Sequence, residues 1–200
     1  MNMIHKSHEV AYPVSDLIRN RRSIRSFSGE PVSESKIRSL FEATRWAPSS
    51  TNEQPWYYLY VTRDQKELWD KYIDCLTENN KIWAKGAALL IFSMTRKSFT
   101  HFEGENPHAM YDLGGANSFL AVQAVELGLQ VRQMAGFDPK KARENLGIPD
   151  TFIPGVFIAV GYPGDVASLP EYLRLRESQP RERFIQDEFV SNGIFHENAG

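Results

Sequence analysis

Apolar and polar positions alternate with helical spacing in some parts of the chain and with strand spacing in others. A repeat of three to four residues predicts helices over 15–20, from the Ser33 cap to Pro48, from Asp64 to about residue 76, over 110–127 and over 138–147. Short aromatic or apolar runs predict strands over 56–62, 87–94, 129–134 and 152–162. We expect the 87–94 strand to be buried on both faces and the 152–162 strand to be interrupted at Pro154 and Gly155. Because helices and strands do not alternate regularly, the pattern predicts an α+β fold with a sheet flanked by helices.

Two stretches lack either period. Residues 97–108 are polar with scattered aromatics, which predicts a long loop of the kind that often has a function. Residues 164–200 contain Pro170, Pro180 and several arginines and cannot form a core of their own, so we expect them to wrap this chain or a partner. The prediction is a single domain over 1–200, with a core over about 15–163 and a C-terminal extension over 164–200.

Composition and charge narrow the classes of function. The 200 residues are 42% hydrophobic and carry a net charge of -2, which suits a folded core and argues against a module that grips a nucleic-acid backbone. A single cysteine, Cys75, excludes a disulfide framework and a multi-cysteine zinc site, so a cytoplasmic protein is expected. The longest apolar stretch, 86–94, is about half of the roughly 20 residues that span a bilayer, and no export signal is expected.

Four arginines, Arg19, Arg21, Arg22 and Arg25, crowd into seven positions and are interleaved with serines, among them Ser23. Guanidinium groups with nearby hydroxyls suit a phosphate, because the planar fork donates paired, charge-assisted hydrogen bonds. A solvated basic face is the alternative interpretation.

The second candidate segment runs from residue 47 to 56 with the sequence A-P-S-S-T-N-E-Q-P-W. Two prolines bound a run of hydroxyl and amide side chains, an array of donors and acceptors that is suited to reading a polar ring edge. An ordinary polar connection is the alternative.

Other candidates favour structural roles. Serine-hydrolase, P-loop, Rossmann and zincin motifs are missing from the sequence. A metal site is conceivable but not expected at the polar cluster His101, Glu103, Glu105, His108 and Asp112. Cys75 is expected to be a packing residue. Expected core side chains include Met94, Met110, Tyr111, Phe119 and Phe157.

The R-R-S-I-R-S-F run at 21–27, followed by P-S-S-T-N-E-Q-P-W at 48–56, resembles the FMN-dependent nitroreductases. The likeness continues in L-G-L at 127–129, M-A-G-F-D at 134–138, I-A-V-G-Y-P at 158–163 and R-E-R at 181–183, and so covers roughly residues 15–190. One departure is Ala135, where relatives often carry an acidic residue or glycine.

The resemblance implies a nitroreductase-like fold with a mostly antiparallel sheet, in an intertwined homodimer with FMN at the interface and the C-terminal extension over the partner. The implied phosphate and ribityl ligands are Arg21, Arg22, Ser23 and Arg25, completed by Arg181 or Arg183. The segment implied to come from the opposite subunit contains Pro48, Ser49, Ser50, Asn52 and Gln54. The main chain of Met134, Ala135 and Gly136 is implied to lie beside the flavin, and Asn79 and Lys81 to approach its pyrimidine edge, although 79–81 align in more than one register.

The implied activity is a ping-pong reduction of small electron-poor acceptors, nitroaromatics or quinones, with NAD(P)H as donor and without a catalytic side chain or metal. Within the 97–108 loop, Phe99, His101 and Phe102 are the expected lid on the acceptor side. Two alternatives stay open: a protein of the same fold that destroys flavin or dehalogenates reductively, and a nucleic-acid binding module.

Overall fold

The computed structural model describes residues 6–194, which form seven α-helices and six β-strands. The helices are α1 (Asp16–Asn20), α2 (Glu34–Arg45), α3 (Lys66–Cys75), α4 (Glu78–Ala84), α5 (Ala109–Glu126), α6 (Pro139–Leu146) and α7 (Glu171–Glu177). The strands are β1 (Lys6–Ser7), β2 (Trp56–Thr62), β3 (Leu89–Arg96), β4 (Gln130–Met134), β5 (Phe152–Gly161) and β6 (Arg183–Phe184).

Four of the strands form one antiparallel sheet in the order β2-β3-β5-β4, as the α+β prediction requires. At one end of this sheet Arg96 of β3 lies opposite Phe152 of β5. At the other end Gln130 of β4 lies opposite Gly161 of β5. Strands β2 and β4 are the two edges. The short strands β1 and β6 pair with each other in a separate two-stranded ribbon.

Helices cover both faces of the sheet. Side chains of β3 alternate between two apolar clusters: Leu90 and Phe92 pack with residues of α3, α4 and α6, and Leu89 and Ile91 pack with residues of α2 and α5. All four side chains are fully buried. The expectation of a strand buried on both faces is confirmed, with bounds two residues later than predicted.

Helix α6 begins and ends as its sequence predicts. Asp138 Oδ1 accepts hydrogen bonds from the backbone N–H groups of Lys140 at 2.9 Å and Lys141 at 3.2 Å, and Pro139 takes the first helical position. Gly147 ends the helix in the left-handed conformation with φ 66°. Local capping chemistry therefore sets both ends of this helix.

Strand β5 runs through Pro154 and Gly155 without the expected break. Its register with β3 shifts at this point, which absorbs the irregularity that the two residues introduce. A Cβ on Gly155 would lie 2.6 Å from Leu113 Cδ2 and 2.8 Å from the Ser93 carbonyl oxygen. The glycine is therefore needed because α5 and β3 both approach the β5 backbone closely.

Three expected core residues are exposed. The exposed fractions of Met110, Tyr111 and Phe119 on α5 are 48%, 84% and 44%. The prediction was wrong because residue type does not say which way a helical residue faces: Tyr111 and Phe119 are rotated away from the stripe that α5 turns to the sheet. Met94 and Phe157 are buried, as predicted.

The extension begins by packing on its own chain. Leu169 and Leu173 are buried and belong to the cluster that contains α3, α4 and α6. Farther on, Phe184, Phe189 and Ile194 have exposed fractions of 49%, 67% and 73%. Helices α4 and α7 were not predicted, because seven residues are too few to establish a helical period and such helices depend on tertiary packing. Residues 195–200 of the predicted extension lie outside the described residues.

None of the helices within 6–194 has the length and apolar character needed to cross a bilayer.

The α6 cap can be tested by substitution. Asp138→Ala removes the acceptor of two backbone N–H groups, so we expect the free energy of unfolding to fall by about 1 kcal/mol. Asp138→Ser, which keeps a capping oxygen, should recover most of this loss in urea denaturation.

A matched control is Asp64→Ala, since α3 begins without a side-chain cap hydrogen bond. Equal losses for Asp138→Ala and Asp64→Ala would contradict the assignment of the cap.

Candidate functional site

A cleft of about 240 Å³ lies where the chain leaving α1, strand β4 and the chain leaving α7 meet. It is lined by Arg21, Arg22, Ser23, Arg25, Arg132, Arg176, Glu177, Gln179, Pro180, Arg181 and Arg183. We call it the arginine cleft. It brings together the arginines that the sequence singled out at 21–25 and at 181–183, and it adds Arg132 and Arg176, which the sequence analysis did not select.

Guanidinium groups from distant parts of the chain hold the 19–23 backbone in place. Arg181 donates from Nη1 to the Arg21 carbonyl oxygen at 2.7 Å and from Nη2 to the Arg19 carbonyl oxygen at 2.6 Å. Arg132 Nη1 donates to the Ser23 carbonyl oxygen at 2.5 Å. These acceptors are uncharged, so the hydrogen bonds position the guanidinium groups without neutralising them.

The start of β4 anchors the same segment. Gln130 Oε1 accepts a hydrogen bond from the Arg22 backbone N–H at 2.8 Å, and its Nε2 donates to the Asn20 carbonyl oxygen at 3.2 Å. The end of α1 and the run of arginines after it are therefore tied to an edge strand of the sheet.

The pKa values of the arginines record crowding of positive charge. Burial lowers the pKa of Arg21, and the charge of Arg183 lowers it further. Burial also lowers the pKa of Arg181, with the neighbouring Arg22 adding to the effect. For Arg132 burial again comes first in lowering the pKa, followed by the charge of Arg25. These side chains remain cationic. A bound anion would offset both the desolvation cost of their charges and the repulsion between them.

Glu177 is the one carboxylate among the described residues that line the arginine cleft. Its Oε2 accepts from Arg25 Nη1 at 3.1 Å and its Oε1 accepts from the Arg25 backbone N–H at 2.7 Å. Side-chain exposures of 16% for Arg25 and 10% for Glu177 make this a largely buried pair. Glu177 therefore balances the charge of Arg25. These lining residues include no second carboxylate for the other arginines of the cleft.

Beyond the cleft, the chain leaving β4 meets helix α4. The Gly136 carbonyl oxygen accepts from Asn80 Nδ2 at 2.9 Å and from the Thr77 backbone N–H at 3.1 Å. Of the alternative registers at 79–81, the structure places Asn80 at this turn, while Asn79 is exposed. Lys81 forms an ion pair with Glu78 at 2.8 Å and does not reach Gly136 through any described contact.

A side chain at position 136 would displace neighbouring side chains at this turn. A Cβ on Gly136 would lie 2.8 Å from Asn80 Nδ2 and 3.0 Å from Thr77 Oγ1. Met134 before it is buried and Ala135 is exposed. The backbone at 134–136 is thus a fixed, partly open surface at the edge of the sheet.

Strand β4 connects this turn with the arginine cleft. Six residues separate Gln130 from Gly136, which corresponds to about 20 Å of extended chain. Between them Arg132 lies over the ring of Trp83 in α4, with 5.3 Å from the guanidinium carbon to the ring centroid. The arrangement suits an elongated ligand with a strongly anionic end.

The 48–54 segment forms a tight turn that is held from the α5 side. Asp112 Oδ2 accepts from the Ser50 backbone N–H at 3.2 Å, and Ser49 Oγ accepts from the Gln54 backbone N–H at 2.9 Å. Gln54 Nε2 donates to the Asn52 carbonyl oxygen at 3.1 Å. Asp112 is only 3% exposed, and its carboxylate holds this turn.

The same turn carries backbone strain. Thr51, Asn52 and Gln54 adopt positive φ angles of 52°, 55° and 51°. Each such conformation costs non-glycine residues on the order of 1–3 kcal/mol, and strain of this kind is common where a site must present side chains in a fixed way. All three residues are exposed to solvent.

Within one chain, the 48–54 turn does not approach the arginine cleft. The turn joins the end of the sheet where Arg96 donates from its backbone N–H to the Pro55 carbonyl oxygen at 2.9 Å. The cleft lies at the other end, beside Gln130. The length of β5, Phe152–Gly161, separates the two ends, which is about 30 Å. A mononucleotide that fills the cleft could meet this turn only if the turn came from a second copy of the chain.

The 97–108 segment is a loop, as predicted, and it packs beside the 48–54 turn. The rings of Phe99 and Phe102 contact each other in a tilted arrangement with 4.1 Å between their centroids, and His101 is exposed. Among the described residues no group of histidine, cysteine and acidic side chains has the arrangement of a metal site.

Cys75 is fully buried. Burial raises the pKa of its thiol to about 11, so the thiol is protonated and unreactive at neutral pH. The expectation of a packing residue is confirmed.

Some site residues carry a weak sequence signal. Gln130 and Arg132 lie two residues apart on an edge strand and so share one face, which a strand-by-strand inspection of polar positions could have found. The position of Glu177 follows only from the way α7 docks, and no local pattern indicates it.

The family model described as "Nitroreductase family" matches residues 18–162. A solved structure described as an oxidoreductase containing FMN is 34% identical to this chain, with a TM-score of 0.89 and coverage of 94% of this chain and 96% of that chain. An FMN-dependent nitroreductase of Clostridium difficile R20291 is 26% identical with a TM-score of 0.64, over 74% of this chain and 87% of the other.

A protein of Archaeoglobus fulgidus that is provisionally named an NADH dehydrogenase/NAD(P)H nitroreductase is 29% identical over 152 residues, or 74% of this chain and 84% of that protein. The region matched by the family model contains the 19–25 segment, the 48–54 turn and all four strands of the sheet. With its fold and its family match in agreement, this chain belongs to the nitroreductase family of oxidoreductases.

Proposed function

We propose that the protein is an FMN-dependent oxidoreductase that uses NAD(P)H to reduce small electron-poor acceptors such as nitroaromatics or quinones. The observation that carries the proposal is the arginine cleft, where several guanidinium groups converge with a single carboxylate among the described lining residues. The relatives that are described as FMN-containing or FMN-dependent share this fold and support the choice of cofactor.

The residues of the cleft fit the phosphate end of FMN. A phosphate monoester carries a charge of about -1.5 to -2 at neutral pH and has three strong acceptor oxygens. Arg21, Arg22, Arg181 and Arg183 would supply the charge, and Ser23 a hydroxyl donor, since Arg21 Nη1 already lies 3.1 Å from Ser23 Oγ. Arg25, paired with Glu177, would contribute less charge than the resemblance implies.

The edge of β4 fits the remainder of the cofactor. The main chain of Met134, Ala135 and Gly136 would line the ring system, with Asn80 holding this turn in place through the Gly136 carbonyl oxygen. Asn79 and Lys81 stay the residues expected at the pyrimidine edge, and Lys81 also pairs with Asp74 and Glu78.

A second copy of the chain would complete the site. The 48–54 turn, with Pro48, Ser49, Ser50, Asn52 and Gln54, lies too far from the arginine cleft of its own chain. The exposed side chains of Met110, Tyr111 and Phe119 on α5 provide an apolar face that a partner would cover. The exposed apolar side chains after residue 183 would pack on the same partner. A homodimer with two equivalent sites satisfies both requirements.

FMN, when bound, supplies hydride transfer between the nicotinamide donor and the acceptor. One chain would hold the phosphate in its arginine cleft and fix the main chain beside the ring through Asn80. The partner would place its 48–54 turn against the same ring. Substrate recognition by stacking on a flat ring tolerates different acceptors.

The direct test of this function is anaerobic reduction. The purified protein should contain FMN that is released on heating, and NADH or NADPH under argon should bleach the visible flavin band. Addition of a nitroaromatic or a quinone should restore the band, and steady-state kinetics should give parallel double-reciprocal lines. Bound flavin that neither nicotinamide reduces would contradict the proposal.

The cleft is tested by Arg181→Ala, which removes one charge and two hydrogen bonds to the 19–21 backbone. We expect FMN to bind about 10- to 100-fold more weakly, as measured by quenching of flavin fluorescence on titration with the apoprotein.

The control for this variant is Arg38→Ala, which removes an exposed arginine of α2 that pairs with Glu34 outside the cleft. Its affinity for FMN should stay within about a factor of two of the parent protein. Unchanged affinity in Arg181→Ala would show that the phosphate lies elsewhere.

The shared site is tested by mixing two inactive chains, one with Arg181→Glu in the cleft and one with Asn52→Trp in the turn. In a mixed dimer one of the two sites carries both changes and the other carries none, so each mixed dimer should have about half of the parent activity. Random pairing makes about half of the dimers mixed, so an equimolar mixture should recover about a quarter of the parent activity. If both segments served the same site within one chain, each site of the mixed dimer would carry one change and no activity would return.

A further inference from the structure

Glu53 is a buried acid inside a turn in which Thr51, Asn52 and Gln54 face solvent. Its exposed fraction is 5%, whereas Asn52 and Gln54 on either side are exposed. Oε1 accepts a hydrogen bond from the Thr100 backbone N–H at 2.7 Å. Oε2 is buried and has no hydrogen-bond partner among the described residues. Burying a carboxylate with one oxygen unpartnered costs free energy, so the contact made by the other oxygen is of interest.

The contact joins two segments that are distant in sequence. Thr100 lies in the 97–108 loop, 47 residues from Glu53. The loop is closed on itself: the Asn106 backbone N–H donates to the Lys97 carbonyl oxygen at 2.7 Å, and the Phe99 backbone N–H donates to the Gly104 carbonyl oxygen at 3.2 Å. The loop is therefore compact, and the Glu53 side chain accepts a hydrogen bond from its tip.

The tip of this loop carries an aromatic pair. Phe99 and Phe102, on either side of Thr100 in sequence, pack against each other with their rings tilted by 36°, and 48% of Phe102 is exposed. The Glu53–Thr100 hydrogen bond thus fixes the position of this aromatic pair beside the 48–54 turn.

The turn is fixed on its other side by Asp112, which accepts from the Ser50 backbone N–H. Two buried acids therefore hold it: Asp112 ties it to α5, and Glu53 ties it to the 97–108 loop. Strain at Thr51, Asn52 and Gln54 persists only while such contacts hold the backbone.

We propose that Glu53 is a positioning residue that couples the 97–108 loop to the 48–54 turn and thereby sets the size of acceptor that the site admits. This inference rests on the proposed function, in which the turn lies against the cofactor of the partner. The Phe99–Phe102 pair then limits the space on the acceptor side, and Glu53 determines its position.

The coupling is measured by amide hydrogen exchange on the purified protein. Glu53→Ala should lower the protection of amides in 97–108 and in 48–54 by about tenfold or more, because both segments lose a shared hydrogen bond to a charged acceptor. Glu53→Gln, which keeps an oxygen acceptor for the Thr100 N–H, should retain the protection within about twofold. The control is Glu103→Ala, an exposed acid of the same loop, which should change neither segment.

Selectivity is measured as the ratio of kcat/KM for a single-ring nitroaromatic to that for a two-ring quinone. At saturating FMN, Glu53→Ala should shift this ratio by roughly fivefold in favour of the larger acceptor, mostly through KM. Thr100→Pro removes the same hydrogen bond from the donor side and should shift the ratio in the same direction, which keeps the test available if Glu53→Ala does not fold.

Unchanged exchange in Glu53→Ala would overturn the coupling, and an unchanged acceptor ratio would overturn the role in selectivity. A parent protein that binds no FMN would overturn the proposed function together with the selectivity. The exchange measurement would still decide whether Glu53 holds the loop.

Discussion

Repulsion among guanidinium groups in the arginine cleft is the constraint on which the rest of the site depends. Two unit charges about 6 Å apart repel by on the order of 3 kcal/mol at an effective dielectric constant of about 20. The hydrogen bonds that Arg132 and Arg181 donate to backbone carbonyl oxygens are of similar strength, about 1.5–3 kcal/mol each. They hold the arginines together without cancelling their charge. Among the described residues that line the cleft, Glu177 is the one carboxylate; it pairs with Arg25, and its charge also acts on Arg132. The fold thus keeps a concentrated positive field at one corner of the sheet, and a phosphate is the group that would gain most from it.

The antiparallel sheet determines which ligand could use this positive field. Strand β4 lies at an edge, so a ligand anchored in the cleft can extend along it toward Gly136 without displacing another strand. The 48–54 turn lies at the opposite corner, where β2 begins. The order of the strands therefore places the 21–27 motif and the 48–56 motif at opposite corners of one chain. This separation is the physical argument for a site shared between two copies.

The 48–54 turn shows how strain and burial are combined. Three consecutive or near-consecutive residues with positive φ are unfavourable by themselves, and the turn has no glycine to relieve them. Contacts from Ser49, Asp112 and Glu53 fix its backbone, while its amide side chains remain exposed to meet another molecule. A turn held in this way presents donors and acceptors with little loss of conformational entropy on binding.

The main elements of the fold follow from the sequence alone. Apolar spacing, the Asp138 cap and Gly147 predict α6, and the apolar runs predict all four strands of the sheet, because these signals are local. The same holds for the two motifs at 21–27 and 48–56, whose residue types by themselves indicate recognition of a phosphate and of a polar ring edge.

Tertiary structure alone decided which of these residues meet. Arg132 reaches Ser23 across 109 residues and Glu177 reaches Arg25 across 152, and no local pattern encodes contacts at such separations. The outward orientation of Tyr111 and Phe119, the contact of Asn80 with Gly136 and the burial of Glu53 likewise depend on how helices and loops dock against the sheet. Local sequence sets backbone preference and chemistry, but the relative placement of distant segments is fixed only when the apolar faces of the sheet and its helices are buried together.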